Sequence, residues 1–348
     1  MSPKNRASWL PAPKSATNVV ESAPYTSPTT NELVIKTKAI ALNPADVVIQ
    51  QLGVLIQHYP AILGCDVAGE VVEVDPSLAD RYELGNRVIG TASCLDTRDG
   101  KYCYAGFQEY VVLKAPQIAK IPVDVSYQDA VVLPLGILAS ASSLFAVGTL
   151  ALSIPDAAKP PHGGGGLGKT VVVWGASSSV GSCGVQLAAQ AGYEVIGVAS
   201  GKNHQMVKSL GAAACFDQND PSIVDSMLSY LQGKQVEGAF CSIASDSALD
   251  TLSEILDRSE GRKLVASVIP GAETKGSKGV TIVTNLKLDV HDTQYMEPVW
   301  KWLNQAMVEK KVKYAPPPEV VGNGLEAVQE GVDLLAKGVS AKKLVVLV

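Results

Sequence analysis

KTVVVWGASSSVGSCGVQLAAQAGYEVIGVASGKN, residues 169–203, is the stretch whose reading decides the fold. It opens on an uncharged, β-branched run, Thr170 to Trp174, suited to a parallel strand covered on both faces. A turn of small residues follows, from Gly175 to Gly181. Apolar or small residues then recur at Val180, Cys183, Gly184, Leu187, Ala188 and Ala191, the spacing of one helix face. A second apolar run, Glu194 to Ala199, completes a strand–turn–helix–strand unit. Such a turn aims backbone N–H groups and a helix N-terminus at an anion. Gly175, Ser178, Ser179, Val180 and Gly181 are therefore read as the cradle of a dinucleotide pyrophosphate, in a degenerate form of the glycine fingerprint.

The residues after the second strand choose between cofactors. An NAD site carries an acid about 20 residues past the glycines, which accepts from the ribose 2′-hydroxyl. Gly197 to Asn203 reads G-V-A-S-G-K-N and contains no acid. Ser200 and Lys202, with Asn203 beside them, offer a hydroxyl and a positive charge to a 2′-phosphate, so the expected cofactor is NADP(H). Cys241 ends a later parallel strand and is a candidate neighbour of the nicotinamide.

The 348 residues suffice for two domains, each with its own core. With 47% hydrophobic and 18% charged residues the chain reads as globular. A net charge of −5 makes no electrostatic case for nucleic acid or anionic membranes. Six scattered cysteines suggest reduced thiols, and the N-terminal MSPKNRASWLPAPK lacks an apolar signal core, so a cytoplasmic protein is expected. Ala130 to Pro155 carries no charge and has the length of a membrane span. Its Pro134, Gly136 and Gly148 favour a buried helix joining two domains.

The first 130 residues read as β-rich: Asn31–Leu42, Asp66–Val74, Arg87–Thr91 and Phe107–Leu113 are strand candidates. This suits a small, partly open barrel, with 94–106 as a surface loop. The run from Pro160 to Gly166 reads as a flexible loop that contains His162. Asp220-Pro221 starts a helix, Asp246 caps another, and Pro316-Pro317-Pro318 breaks the chain. A helix over 324–337 and a terminal strand, Lys343–Val348, follow, and that strand is expected to return to the first domain.

Taken together, Asn43-Pro44-Ala45-Asp46, PAILGCDVAGEVVEV (60–74), GNRV (85–88), GFQEYVV (106–112), the nucleotide unit and GVSAKKLVV (338–346) resemble the medium-chain dehydrogenase/reductase superfamily. The opening residues are most similar to fungal zinc-independent members, the stand-alone enoyl reductases of the lovastatin type; quinone oxidoreductases are a more distant similarity. The resemblance implies a chaperonin-10-like, partly open β-barrel domain over 1–130, completed by 316–348. It implies a Rossmann domain, a doubly wound parallel sheet, over 131–315, with the active site in the cleft. It also implies reduction of an activated C=C bond, a small-molecule substrate of the polyketide type held on a carrier, and a monomer or homodimer. A quinone oxidoreductase and a non-redox isomerase or cyclase remain alternatives.

Zinc members of the superfamily carry a G-H-E motif, where this chain has Gly64-Cys65-Asp66, and Asn43 to Asp46 offers no thiol. The four histidines (58, 162, 204 and 291) show no ligand spacing, so no metal is expected. A donor must then polarise the substrate carbonyl. Relatives place Tyr or Lys where Val48 stands, Thr where Ala139 stands, and a Tyr near the adenosine where Gln218 stands. Ser140, Ser142, Asn43 and Tyr59 are the remaining candidate donors, and Asp46 and Asp66 are candidate bases.

Overall fold

The computed structural model describes residues 3–156, 168–276, 279–284 and 294–348. The glycine-rich run with His162, and His291, lie outside the described residues. The chain begins with β1 (Asn5–Leu10), β2 (Val19–Ala23), β3 (Glu32–Ala41), α1 (Pro44–Leu52), β4 (Ala61–Ile62) and β5 (Asp66–Val74). Next come β6 (Arg87–Thr91), β7 (Tyr110–Lys114), β8 (Ile118–Lys120), α2 (Tyr127–Ala130) and α3 (Pro134–Phe145). The βα alternation follows: β9 (Lys169–Trp174), α4 (Ser179–Gln190), β10 (Glu194–Ala199), α5 (His204–Ser209), β11 (Ala212–Asp217) and α6 (Ile223–Leu231). It continues with β12 (Gln235–Cys241), α7 (Asp246–Arg258), β13 (Leu264–Ser267), β14 (Thr281–Thr284) and α8 (Met296–Val308). The chain ends with β15 (Pro318–Asn323), α9 (Val328–Ala336) and β16 (Lys343–Leu347). Two compact units result: one holds the chain up to Leu135 together with Pro317–Val348, the other Gly136–Pro316.

The first unit is a mixed β structure. Seven strands run in the order β15-β16-β3-β5-β6-β8, with β7 also paired to β3, and a smaller sheet runs β2-β1-β4. β3 is buried along nearly its whole length because it takes β5, β7 and β16 as partners. The last strand thus returns to the first unit, pairing Val346 with Ile40. Leu33, Ile35, Ile40, Val67, Val71 and Phe107 fill the core beneath.

Three sequence expectations in this unit need correction. The surface loop expected over 94–106 is only its middle: Leu95, Asp99, Gly100 and Lys101 are exposed, whereas Cys94, Tyr102, Cys103, Tyr104 and Ala105 are buried. The polar atoms that suggested solvent are satisfied inside, Tyr104 donating to Glu32 Oε1 at 2.7 Å and Gln108 Nε2 donating to the carbonyls of Tyr102 and Ala105. β7 begins at Tyr110 instead of Phe107, whose N–H bonds Leu63 O and whose carbonyl accepts from Ser8 N. The break expected at Pro316-Pro317-Pro318 falls where one unit ends and the other resumes, but Pro318 also opens β15, an unexpected strand on the outer side of β16.

The second unit is a six-stranded parallel sheet in the order β11-β10-β9-β12-β13-β14. Counted from β9 this is 3-2-1-4-5-6, the doubly wound order, and its direction reverses between β9 and β12. α6 starts at Ile223, two residues beyond the expected point, because Asp220 accepts from Ser222 N and Oγ in a turn. Ser245, not Asp246, caps α7, accepting from Ala248 N at 3.2 Å. The uncharged stretch that leads into this unit holds the end of α2 and the whole of α3, most of which lies within the unit. Tyr127–Phe145 is long and apolar enough to cross a membrane, and 78% of its apolar window is buried within the fold.

Candidate functional site

The parallel sheet of the second unit carries the first candidate. At the strand-order reversal β9 ends at Trp174 and the chain turns through Gly175–Ser178 into α4. Ligands of such sheets bind at the carboxyl ends of the strands at this reversal. Gly175 has φ 76°, and a Cβ on Gly181 would lie 2.1 Å from Gly175 O, so only glycine lets the helix start this close to the strand. Ser178 caps α4 by accepting from Gly181 N at 2.9 Å. The first turn of the helix then directs N–H groups outward, and Ser178, Ser179 and Val180 are all part-exposed around it. The cradle fits a dinucleotide pyrophosphate.

Ser242, absent from the sequence expectations, completes this turn. Its hydroxyl lies 2.8 Å from Trp174 O, 3.1 Å from Gly175 O and 3.1 Å from Ser178 Oγ. Its signal in the sequence is only its place, the first residue after the fourth parallel strand.

Ser200, Lys202 and Asn203 sit in a short turn at the end of β10, and Gln218 is exposed at the end of β11, the next strand outward. Asn203 Nδ2 donates to Ser177 Oγ at 3.1 Å, which joins this turn to the glycine turn. Cys241 requires a correction. It is fully buried in the core with Val172 and Leu252, its thiol donates to Ile243 O at 3.5 Å, and burial pushes it up to about 11. It is a packing residue, with no thiol surface offered to a ligand.

Ser140 also requires correction as a donor. It is fully buried and its hydroxyl donates to Val180 O at 2.7 Å, tying α3 to α4. Its one proton is therefore committed. Ser142 is likewise buried.

The first unit carries the second candidate, a connected set of ionisable and polar side chains around the start of β5. Asn43 is fully engaged: its Nδ2 donates to Asp66 Oδ2 at 2.9 Å and its Oδ1 accepts from Lys343 Nζ at 2.5 Å. That leaves it a structural bridge and corrects its expected role as donor. Lys343 also pairs with Asp66 at 2.8 Å, with both side chains almost entirely buried. Asp66 Oδ1 accepts from Leu135 N at 2.5 Å. The lysine that neutralises Asp66 comes from β16, which no local pattern reveals.

Asp46 stands at the third position of α1 and accepts from Asn43 N at 2.8 Å, with its carboxyl fully buried. Burial, reinforced by the Asp66 charge and opposed by the Asn43 N–H and Lys343, pushes it up to about 7. Cys65 next to Asp66 is hydrogen-bonded to Cys94, and that bond and burial raise its thiol well above the usual range. Both effects favour the protonated thiol, a donor rather than a nucleophile.

Tyr59 is the remaining predicted donor. Its hydroxyl is buried and has no hydrogen-bond partner among the described residues. The Tyr102 hydroxyl donates to His58 O at 2.5 Å and is raised by burial and by the nearby Tyr59 and Cys94. Tyr59, Tyr102, Cys94, Cys65, Asp46, Asp66 and Lys343 thus form one chain of neighbours. Within it Tyr59 has an uncommitted hydroxyl. Val48 is exposed on α1 and supplies no polar group. Among the described residues no three His, Cys, Asp or Glu side chains gather as a metal site requires.

Comparison with known proteins adds to this geometry. Residues 29–123 match the family described as alcohol dehydrogenase GroES-like domain, and residues 179–305 match the one described as zinc-binding dehydrogenase. The chain is 35% identical to dehydrogenase pigH of Monascus ruber over 99% of both chains. It is 36% identical to trans-enoyl reductase himH of Aspergillus japonicus over 98% of this chain and 97% of that one. Among solved structures, the CurK enoyl reductase superposes with a TM-score of 0.74 at 18% identity, covering 99% of each chain. That last likeness concerns the fold: a GroES-like β unit and a Rossmann unit.

Proposed function

The chain belongs to the medium-chain dehydrogenase/reductase superfamily, and on that premise we propose that it reduces an activated C=C bond with NADPH. The proposed setting is fungal secondary metabolism, with a small-molecule enoyl or enone substrate of the polyketide type, presented on a carrier. The observation that carries this reading is the full-length likeness to a fungal protein called a trans-enoyl reductase. The superfamily implies a nicotinamide cofactor. Its phosphorylated form is favoured because β10 ends without an acid, beside Ser200 and Lys202.

The residues of this chain then divide the work. The cradle of Gly175, Ser178, Ser179, Val180 and Gly181 would hold the pyrophosphate, with Ser242 fixing the turn. When bound, the reduced nicotinamide would supply a hydride to the electron-poor β-carbon of a conjugated carbonyl. Charge develops on the carbonyl oxygen as an enolate, a preorganised donor lowers that barrier, and a proton from water at the α-carbon completes the reduction. Tyr59 supplies the donor, since Ser140 and Asn43 have spent theirs inside the fold.

Purified protein mixed with NADPH and a panel of enoyl thioesters, enones and quinones should oxidise the cofactor with the first two classes. Tyr59→Phe should lower kcat by about 10²- to 10³-fold, the usual effect of removing one oxyanion donor, with little change in KM for NADPH. Turnover of quinones alone would replace this reading with quinone reduction. An isomeric product formed with no NADPH consumed would replace it with non-redox chemistry.

A further inference from the structure

We propose that Asp217 is a positioning residue for the cofactor 2′-phosphate, bracing the turn that carries Ser200 and Lys202. The inference rests on the NADP(H) reading above.

Ala199 and Asp217 face each other in register at the ends of β10 and β11, so the turns that follow the two strands emerge side by side. Asp217 Oδ2 accepts from Gly201 N at 3.0 Å. Asp217 Oδ1 accepts from Asn219 N at 2.9 Å and from Asn219 Nδ2 at 3.0 Å. These donors hold the carboxyl below its usual range, the Asn219 N–H first, then Gly201 N, the Asn219 amide and the nearby His204. Here both oxygens already accept from the turns, so this acid acts as a fastening between them.

The same turn is held at two further points. Asn203 Nδ2 donates to Ser177 Oγ, and His204 Nε2 lies 3.0 Å from Ala199 O. Between these fastenings Ser200 makes no capping bond with its side chain and Lys202 is exposed. A rigid turn spares these two side chains part of the ordering cost of gripping a phosphate. The arrangement also places a negative charge close to a site meant for an anion. Bracing and repulsion therefore predict opposite signs when Asp217 is removed.

Calorimetric titration with 2′,5′-ADP and with 5′-AMP reads that sign without turnover. Wild-type protein should prefer 2′,5′-ADP. Asp217→Ala should weaken 2′,5′-ADP about tenfold, the worth of one charge-assisted hydrogen bond, and leave 5′-AMP within about twofold. Asp217→Asn keeps one acceptor oxygen and should recover most of the loss. Tighter 2′,5′-ADP binding by Asp217→Ala would show that the carboxylate only repels and would overturn the inference. Equal weakening of both ligands would overturn it too, as would no change in either. Equal affinity of the wild-type protein for the two ligands would remove the NADP(H) reading and this inference together.

Discussion

Burial and the Asp66 charge push Asp46 up to about 7, and this raised value makes the residue a sensor of the folded state. An aspartate in the unfolded chain titrates near about 3.9. Below that pH both states hold the proton, and the buried group stabilises fully. As pH rises from about 4 towards 7, the unfolded chain releases its proton while the folded one keeps it, so stability falls through that window and levels off above it. At about 1.36 kcal/mol per unit, the loss is on the order of 1–4 kcal/mol. Asp46→Asn keeps an oxygen for the Asn43 N–H and cannot ionise, so it should abolish this component. Urea midpoints at pH 4.5 and 7.5 measure it: the wild-type decrease should exceed that of the variant, and parallel pH profiles would refute the assignment. Which residues mattered here was only partly readable from the sequence. Asp46, Asp66 and Tyr59 stood out as residue types, whereas what each atom bonds depends on partners such as Lys343, 300 residues from Asn43. Ser140 and Cys241 were misread for the same reason, because burial is decided by what packs on top.

Elements were more legible than contacts. β5 and β6 fall at their expected bounds and the β9–α4–β10 unit follows its apolar spacing, since strand and helix periods are local properties. The buried run at 102–106 and strand β15 escaped because tyrosines and prolines look like loop residues until long-range partners cover them. The junction of β9 and α4 carries the prediction at this scale. Gly181→Ala would set a methyl group 2.1 Å from Gly175 O and 2.7 Å from Ser242 Oγ, so the turn must open. NADPH binding, followed by nicotinamide fluorescence, should weaken by about tenfold or more, since 1.4 kcal/mol suffices for each factor of ten. Ser178→Ala, which removes the cap and the contact with Ser242 Oγ, should cost about 1 kcal/mol of stability. Unchanged NADPH affinity in the glycine variant would show that the cradle lies elsewhere.

On the scale of the whole molecule, the first unit is built from both ends of the chain and the second from its middle. β16 lies between β15 and β3, and its Lys343 is the counter-ion of buried Asp66. Removing residues 343–348 takes out a central strand and leaves that carboxylate unpaired, a loss of about 3–5 kcal/mol from the charge alone. Limited proteolysis of the shortened chain should therefore degrade the first unit and spare a fragment within 136–316, identified by mass spectrometry; uniform resistance of both units would contradict the prediction. The Asn43–Lys343 bond has a consequence for biosynthesis. At about 5–20 residues per second, a ribosome that has made Asn43 needs about 15–60 s more to reach its partner 300 residues on. The last residue of the middle unit is made during that wait, when the first unit is still two strands, a helix and one counter-ion short. Vectorial synthesis thus reverses the order read along the chain: the unit begun first is the last to be finished.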